Sequence, residues 1–357
     1  MYHPARALAA LASLALTGSL LGCSTMGGDD DKSADESGSG STTVKLVTHD
    51  SFALPEDLQA KFEKDSGLQL EILASGDAGA VTNKLVLTKD SPIGDVAFGV
   101  DNTFASRPVD EGVFEEYAAK LPAGADQYVL EDIGDHLTPI DNANVCVNID
   151  TGYFEKLKLP EPETLDDLAK PVYRGRFVVP GAATSSPGMA FLLTTIAEYG
   201  DDWPAYWAKL MDNDTLLVDG WESAYQGEFS QGGGKGKRPI VLSYDTSPAF
   251  TVDEAGTSST TKALLHTCFP QTEYAGVLAG ADNPEGARAL IDFLLSPEVQ
   301  AALPDSMYVF PVDENVELPA TWAKFAVQPT DPHTVDPAEI AENREQWLTE
   351  WRDVTTR

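Results

Sequence analysis

The sequence predicts an α/β protein of two lobes, each a mostly parallel sheet flanked by helices, with the lobes joined by crossover strands. Three observations carry this. Short apolar runs alternate with helix-length segments, the pattern of parallel sheets, and the alternation begins twice, near residue 44 and again near residue 176. Each apolar run ends in polar side chains, and open α/β sheets take ligands in the crevice outside such strand ends. A late stretch, residues 269–312, reads as a return of the chain to its first sheet.

Residues 1–22 read as an export signal. Arg6 supplies positive charge, residues 7–21 an apolar core, and Leu20-Leu-Gly-Cys23 the cleavage end. That ending resembles a bacterial lipobox, in which the cysteine, here Cys23, is lipidated and becomes the mature N-terminus. The apolar core is too short for a comfortable membrane span. Residues 23–43, rich in Gly, Ser and Asp, have almost nothing to bury and read as a disordered acidic tether. Two acyl chains on one cysteine are enough to anchor a protein stably.

Residues 44–141 form the first part of lobe 1. A strand from residue 44 enters a polar turn at His49, Asp50 and Ser51, and residues 55–66 read as a helix with Leu58 and Phe62 on its apolar face, stopped by Gly67. A second strand, 68–73, leads to Asp77; a helix follows over 81–87; a third strand, 95–102, ends in Asp101 and Asn102. The crevice rule turns all three ends toward one cleft. Asp101 and Asn102 fit a common turn equally well.

Lobe 2 covers residues 142–268, entered by a strand over 144–149. Thr164 caps a short helix through Leu168. A second βα series starts at residue 176, and its strand runs into Gly181-Ala-Ala-Thr-Ser-Ser-Pro-Gly188 before an apolar helix over 189–199. Ser185, Ser186 and the backbone N–H groups there suit a phosphate or another polar group, or a plain helix cap. Trp203, Tyr206, Trp207 and Leu210 fall at core spacing. Trp221 and Tyr225, four residues apart, share one face of a helical turn, as core aromatics or as a ligand platform. Residues 231–238 read as a flexible surface loop whose small basic cluster serves solvation and lacks phosphate-loop spacing. A buried strand over 240–242 ends in Ser243, Tyr244, Asp245, Thr246 and Ser247, and Pro248 suits a helix start. In the return segment, helices over 285–295 and 296–303 precede an extended run over 307–312 containing Tyr308. Residues 313–357 form a C-terminal helical segment, with Asp336-Pro337 opening a helix that packs through Ile340, Trp347 and Trp351.

Twenty-four basic against 57 acidic residues give a net charge of −33. That field opposes nucleic acid and anionic lipid and favours cationic solutes, and it is also what a solvated acidic surface produces. No Gly-x-Ser-x-Gly, His-Glu-x-x-His or Walker A pattern occurs, which argues for binding over catalysis. Five histidines, scattered, do not suggest a metal cluster. Cys146 and Cys268 both sit in strand-like runs. Export permits a disulfide between them; two separate buried thiols are the alternative.

The export signal, tether and paired lobes together resemble solute-binding lipoproteins of bacterial ABC importers. Five motifs narrow this: Thr48-His-Asp-Ser-Phe52, Gly99-Val-Asp-Asn102, Thr184-Ser-Ser-Pro-Gly188, Gly220-Trp-Glu-Ser-Ala-Tyr225 and Leu242-Ser-Tyr-Asp-Thr-Ser-Pro248. In this order and spacing, across most of residues 44–354, they resemble the thiamine-binding members. The resemblance implies a type II periplasmic-binding-protein fold that clamps thiamine or its phosphates, without a cofactor. It implies a monomer, lipid-anchored outside the cell membrane or periplasmic, delivering to a permease and ATPase.

Residue by residue, Asp77 matches the family's acid, Ser185 its serine at the phosphate or hydroxyethyl end, and Trp221 and Tyr244 its aromatic walls. Tyr308 stands where the family can place tryptophan. His49 departs from an aromatic. Thiamine's thiazolium cation suits cation–π contact with Trp221, Tyr244 and Tyr308, each worth about 0.5–2 kcal/mol, and its exocyclic amine suits Asp50 or Asp77. Tyr225, Thr246 and Ser247 complete the expected set. A polyamine suits the same acids and aromatics. Ferric iron suits them less, because such carriers use neighbouring tyrosines and Tyr244 is followed by Asp245. A sensor or adhesion role for the lobe pair stays open.

Overall fold

A computed structural model of the chain describes residues 41–131 and 133–356. The export signal, Cys23 and most of the tether lie outside them. Ten strands among the described residues form one sheet: β1 (Thr43–Thr48), β2 (Gln69–Ala74), β3 (Val96–Asp101), β4 (Thr138–Asp150), β5 (Phe177–Pro180), β6 (Leu216–Val218), β7 (Ile240–Tyr244), β8 (Thr261–Ala263), β9 (Phe269–Val277) and β10 (Phe310–Pro311). Their order is β2-β1-β3-β9-β4-β7-β5-β6, with β8 and β10 also pairing with β4. At one side β2, β1 and β3 run parallel; at the other β7, β5 and β6 do. β3 is buried at every position, as a continuous apolar run in a doubly covered sheet should be.

Between the two parallel sets lie the antiparallel strands β9 and β4. β4 is thirteen residues long; Thr138 to Val145 pair with β9 and Val145 to Ile149 with β7, so one strand passes from one half of the sheet to the other. It starts six residues earlier than the expected strand at 144. Pro139 disguises the start, since proline cannot donate to a ladder, and the register shifts between Pro139 and Asp141.

Of the strand-like run 264–269 around Cys268, only Phe269 is strand. Thr267 turns it: its hydroxyl accepts from the Val147 N–H (2.9 Å) and donates to the Leu264 carbonyl (2.7 Å), holding Leu265–Thr267 in a 3₁₀ turn. β9 begins only after Cys268. Cys146 on β4 is disulfide-bonded to Cys268, at a Cα–Cα distance of 4.2 Å.

Helix starts differ for similar local reasons. Asp77 accepts from the Ala78 N–H, so that helix runs Ala78–Leu87 instead of starting at 81. Ser185 caps Ser186–Tyr199, placing Pro187 in the first turn. Pro248 opens only the 3₁₀ turn Ser247–Phe250. The stretch 231–238 is less free than its composition suggests. A Cβ on Gly232 would lie 1.6 Å from the Tyr225 carbonyl oxygen and one on Gly234 2.1 Å from that of Gln226, so its glycines let two backbones touch. Lys235 and Lys237 remain exposed.

Trp203, Tyr206, Trp207 and Leu210 are buried together with Ile340, Trp347, Leu348 and Trp351 of the last helix, Pro337–Thr355. Trp207 meets Trp351 edge to face at 5.6 Å. The C-terminal helix therefore belongs to the core beneath β5 and β7.

Candidate functional site

The polar ends of β1 and β7, the start of helix Ala78–Leu87 and the start of helix Ser186–Tyr199 converge on one cleft, floored by β9. His49, Ser51, Asp77, Ser186, Trp221, Tyr244, Gln271, Glu273, Met307, Tyr308 and Val309 are among its lining, around roughly 450 Å³ of empty space counting the open mouth. Asp50 stands at an adjoining opening with Asp77, Thr184 and Trp221.

Trp221 is the best-supported ring. Its indole is 7% exposed and stacks on Tyr225 with centroids 5.2 Å apart and planes 10° from parallel. Nε1 donates to Ser243 Oγ (2.9 Å), and that hydroxyl shares a hydrogen bond with Ser247 Oγ. Tyr244 leans toward it at 6.1 Å and 49°. Burial and the charge of Glu273 hold the Tyr244 phenol well above its ordinary value, so it stays neutral. Tyr308 has a left-handed backbone (φ 66°), and its carbonyl accepts from Thr246 Oγ1 at 2.6 Å.

Several expected site residues lie elsewhere. Tyr225 sits behind Trp221 and lies among the buried residues with Phe229 and Val241. Thr246 and Ser247 brace Tyr308 and the Trp221–Ser243 contact. Ser185 accepts from the Gly188 N–H as the helix cap, and its hydroxyl also hydrogen-bonds the Asp77 carboxylate at the cleft. Asp101 is fully buried and turned back on its own loop, accepting from Thr103 N, Thr103 Oγ1 and Phe104 N. Burial pushes its carboxyl up to about 6. Asn102 bridges to the Pro270 carbonyl and the Thr272 N–H, tying β3 to the entry of β9. Short polar side chains after a strand serve their own backbone readily, and these do.

Asp77 has a double role. Oδ1 accepts from Ala78 N (2.6 Å), and Oδ2 from the backbone N–H of Trp221 (2.7 Å), 144 residues away. With the Ala80 N–H to Thr184 carbonyl bond at 3.0 Å, it links the two sides of the cleft. Burial raises the Asp77 carboxyl against the pull of those N–H groups and of His49.

Glu273 and Gln271 were not anticipated. They stand two apart on β9 and so face the same way, a period-two signal within a stretch that does read as strand once Phe269 is taken as its start. Glu273 Oε1 lies 3.2 Å from His49 Nε2, both side chains 8% exposed. The imidazole N–H is poorly aligned for a hydrogen bond, so the contact is chiefly one of charge. Burial pulls the His49 pKa down, but Glu273, with Asp77 and Asp50 behind it, outweighs burial and holds it above 6.5. Directly across the ladder from Glu273 stands Asp141, its carboxyl buried and raised by desolvation and by the Glu273 charge. Both effects favour the neutral form of the Asp141 carboxyl. Gly99 admits the imidazole: a Cβ there would lie 2.2 Å from His49 Cδ2, and its φ of 95° is one glycine favours.

Among the described residues, no group of three or more His, Cys, Asp and Glu side chains is placed to hold a metal ion. The cleft offers flat aromatic faces beside buried carboxylates, with a serine hydroxyl at a helix start.

A cleft of this kind, set between two halves of a sheet that share their middle strands, defines a protein that encloses a small solute. The chain belongs to the bacterial extracellular solute-binding protein family, whose model matches residues 91–331. It is 32% identical over 325 residues to the thiamine-binding periplasmic protein of Escherichia coli (strain K12), covering 88% of this chain and 94% of that one. It is 30% identical over 331 residues to the thiamine-binding periplasmic protein of Brucella suis biovar 1 (strain 1330), covering 88% and 92%. A solved periplasmic thiamin binding protein superposes with a TM-score of 0.77 at 30% identity, over 88% of this chain and 96% of that chain.

Proposed function

We infer that this chain captures thiamine, or a thiamine phosphate, outside the cell and hands it to the permease and ATPase of an ABC importer. One observation carries the reading: the Trp221, Tyr244 and Tyr308 rings share a cleft with buried Glu273 and half-buried Asp77, in a chain alike over nearly its whole folded length to thiamine-binding proteins. Aromatic faces and carboxylates together suit a flat organic cation. Trp221 and Tyr244 stack on the ligand, Glu273 balances the thiazolium charge, and Ser186, whose hydroxyl lies at the helix start beside the Asp101 carboxyl, takes the hydroxyethyl or phosphate end.

The chain works as two lobes, residues 44–141 with 269–312 and residues 142–268, with the 313–357 segment packed on the second. Ligand contact with both biases the hinge toward closure. Cys23 carries the lipid that holds a monomer at the membrane. Titration calorimetry tests the ligand: thiamine should bind one to one, with spermidine and ferric citrate giving no saturable heat. Absence of heat and of thermal shift at high micromolar thiamine would overturn the reading.

The His49–Glu273 contact makes this binding pH-dependent. An imidazolium already neutralising Glu273 competes with a cationic ligand, so ligand and proton exclude one another. Affinity should climb as pH rises through the His49 pKa, held above 6.5, and level off beyond it, by at most tenfold per unit for one linked proton. Stability of the empty protein moves the other way: a His pKa raised by folding stabilises below 6.5, and that contribution is lost as pH rises through the raised value. His49→Gln should flatten the affinity profile and abolish proton release in buffers of different ionisation enthalpy. An unchanged slope in that variant would assign the pH dependence to another group.

A further inference from the structure

A second cavity lies apart from the cleft, between the helix Ala78–Leu87, the loop after β3 and the C-terminal helix. Its walls carry Arg107, Arg344 and Arg352 against a single carboxylate, Glu345. Three guanidinium groups around one small space are unexpected in a chain of 24 basic and 57 acidic residues, whose general field repels anions.

Arg344 is the informative member. It is 4% exposed, and its guanidinium lies 5.4 Å over the Phe104 ring. Of its five donors, one makes a 3.4 Å bond to the Phe104 carbonyl, another a 3.5 Å contact with Glu345, and Nε has no partner. Glu345, its side chain 65% exposed, is shared with Arg107 at 3.6 Å. A buried cation so thinly compensated is costly on its own. Burial, and to a lesser degree the neighbouring Arg107 charge, weaken its hold on the proton. Arg107 is oriented by Asn83 Oδ1 (3.0 Å), and Arg352 by the Leu348 carbonyl (3.1 Å), so both heads are placed.

We propose that this cavity is an anion site for a free, compact oxyanion of the phosphate class. Forked guanidinium donors match such oxygens in pairs. Thr82, Asn83 and Arg107 come from one side of the sheet, while Arg344 and Arg352 belong to the helix packed under the other. A bound phosphate therefore ties the two together, at a place remote from the aromatic rings.

The test is calorimetry and thermal melting of the full chain with inorganic phosphate, against chloride at matched ionic strength and against acetate. Phosphate should bind saturably, one to one, and raise the melting temperature where chloride and acetate do not. Arg107→Gln and Arg352→Gln, both at surface-reaching side chains, should each weaken phosphate by roughly tenfold and leave thiamine binding unchanged. Trp221→Ala should keep phosphate binding, which separates this cavity from the cleft. A phosphate effect equal to that of chloride, or one indifferent to both arginine substitutions, would overturn the proposal.

Discussion

Replacing Cys146 and Cys268 by alanine together is expected to lower the unfolding free energy by about 4–5 kcal/mol, the loop-entropy value for so long a crosslink. The bond closes a sequence separation of 122 residues, and both cysteines are fully buried, so chain entropy dominates and the lost sulfur volume adds little. The position matters as much as the length. Cys146 and Cys268 flank the pair Val145↔Phe269, the last rung at which β4 and β9 meet. From there β9 carries Gln271 and Glu273 to the cleft floor, opposite Ala143 and Asp141. Freed from its anchor, the entry to β9 should fluctuate, and thiamine affinity should fall with stability. Urea unfolding of the double variant measures the first effect and calorimetry the second. A stability loss below about 1 kcal/mol would mean that the unfolded chain is already compact there, contrary to the loop model.

The two parallel sets were legible in the sequence because buried strands announce themselves as apolar runs between helix-length segments. Polar ends of these strands lie along the edge of the sheet where the cleft opens. What composition could not tell is which way each polar side chain turns. Asp101 and Asn102 look like Asp50 and Asp77 in sequence, yet they close on their own loop and on β9 while the other two border the cleft. The middle strands were the harder part. β4 places Asp141 and Asn142 inside a buried strand ahead of the expected run 144–149, which itself holds Asn144 and Asn148. Tertiary partners make that tolerable: Asn144 with Asp245, Asn142 with the carbonyls of Phe310 and Pro311, Asn148 with that of Tyr244. Glu273 escaped for the same reason, since a charge in mid-strand reads as solvent-facing until His49 is seen beside it. Tyr225 shares a face with Trp221 as its spacing implied, but as the ring behind the wall.

Trp221→Ala should separate wall from core at the centre of the site. One face of the indole is covered by Tyr225, its N–H is held by Ser243, and the ring borders the cleft. The residue is therefore both packed and presented, and the substitution should act twice. Stability should drop by about 3–5 kcal/mol, the usual cost of emptying a large buried aromatic, with the Ser243 hydroxyl left without its donor. Thiamine affinity should weaken by about 1–3 kcal/mol, because a cation loses one stacking face in a desolvated cleft. The backbone N–H to Asp77 survives the change, so the link across the cleft is kept and the affinity loss reports the ring itself. Trp221→Phe sharpens the comparison: it keeps a face for the cation and for Tyr225 but removes the bond to Ser243. It should retain most of the affinity while losing roughly 1–2 kcal/mol of stability. Calorimetry and urea unfolding on both variants read the two quantities separately. If alanine lowers stability and leaves thiamine affinity untouched, Trp221 is packing alone, and the cation's stacking partners must be sought at Tyr244 and Tyr308.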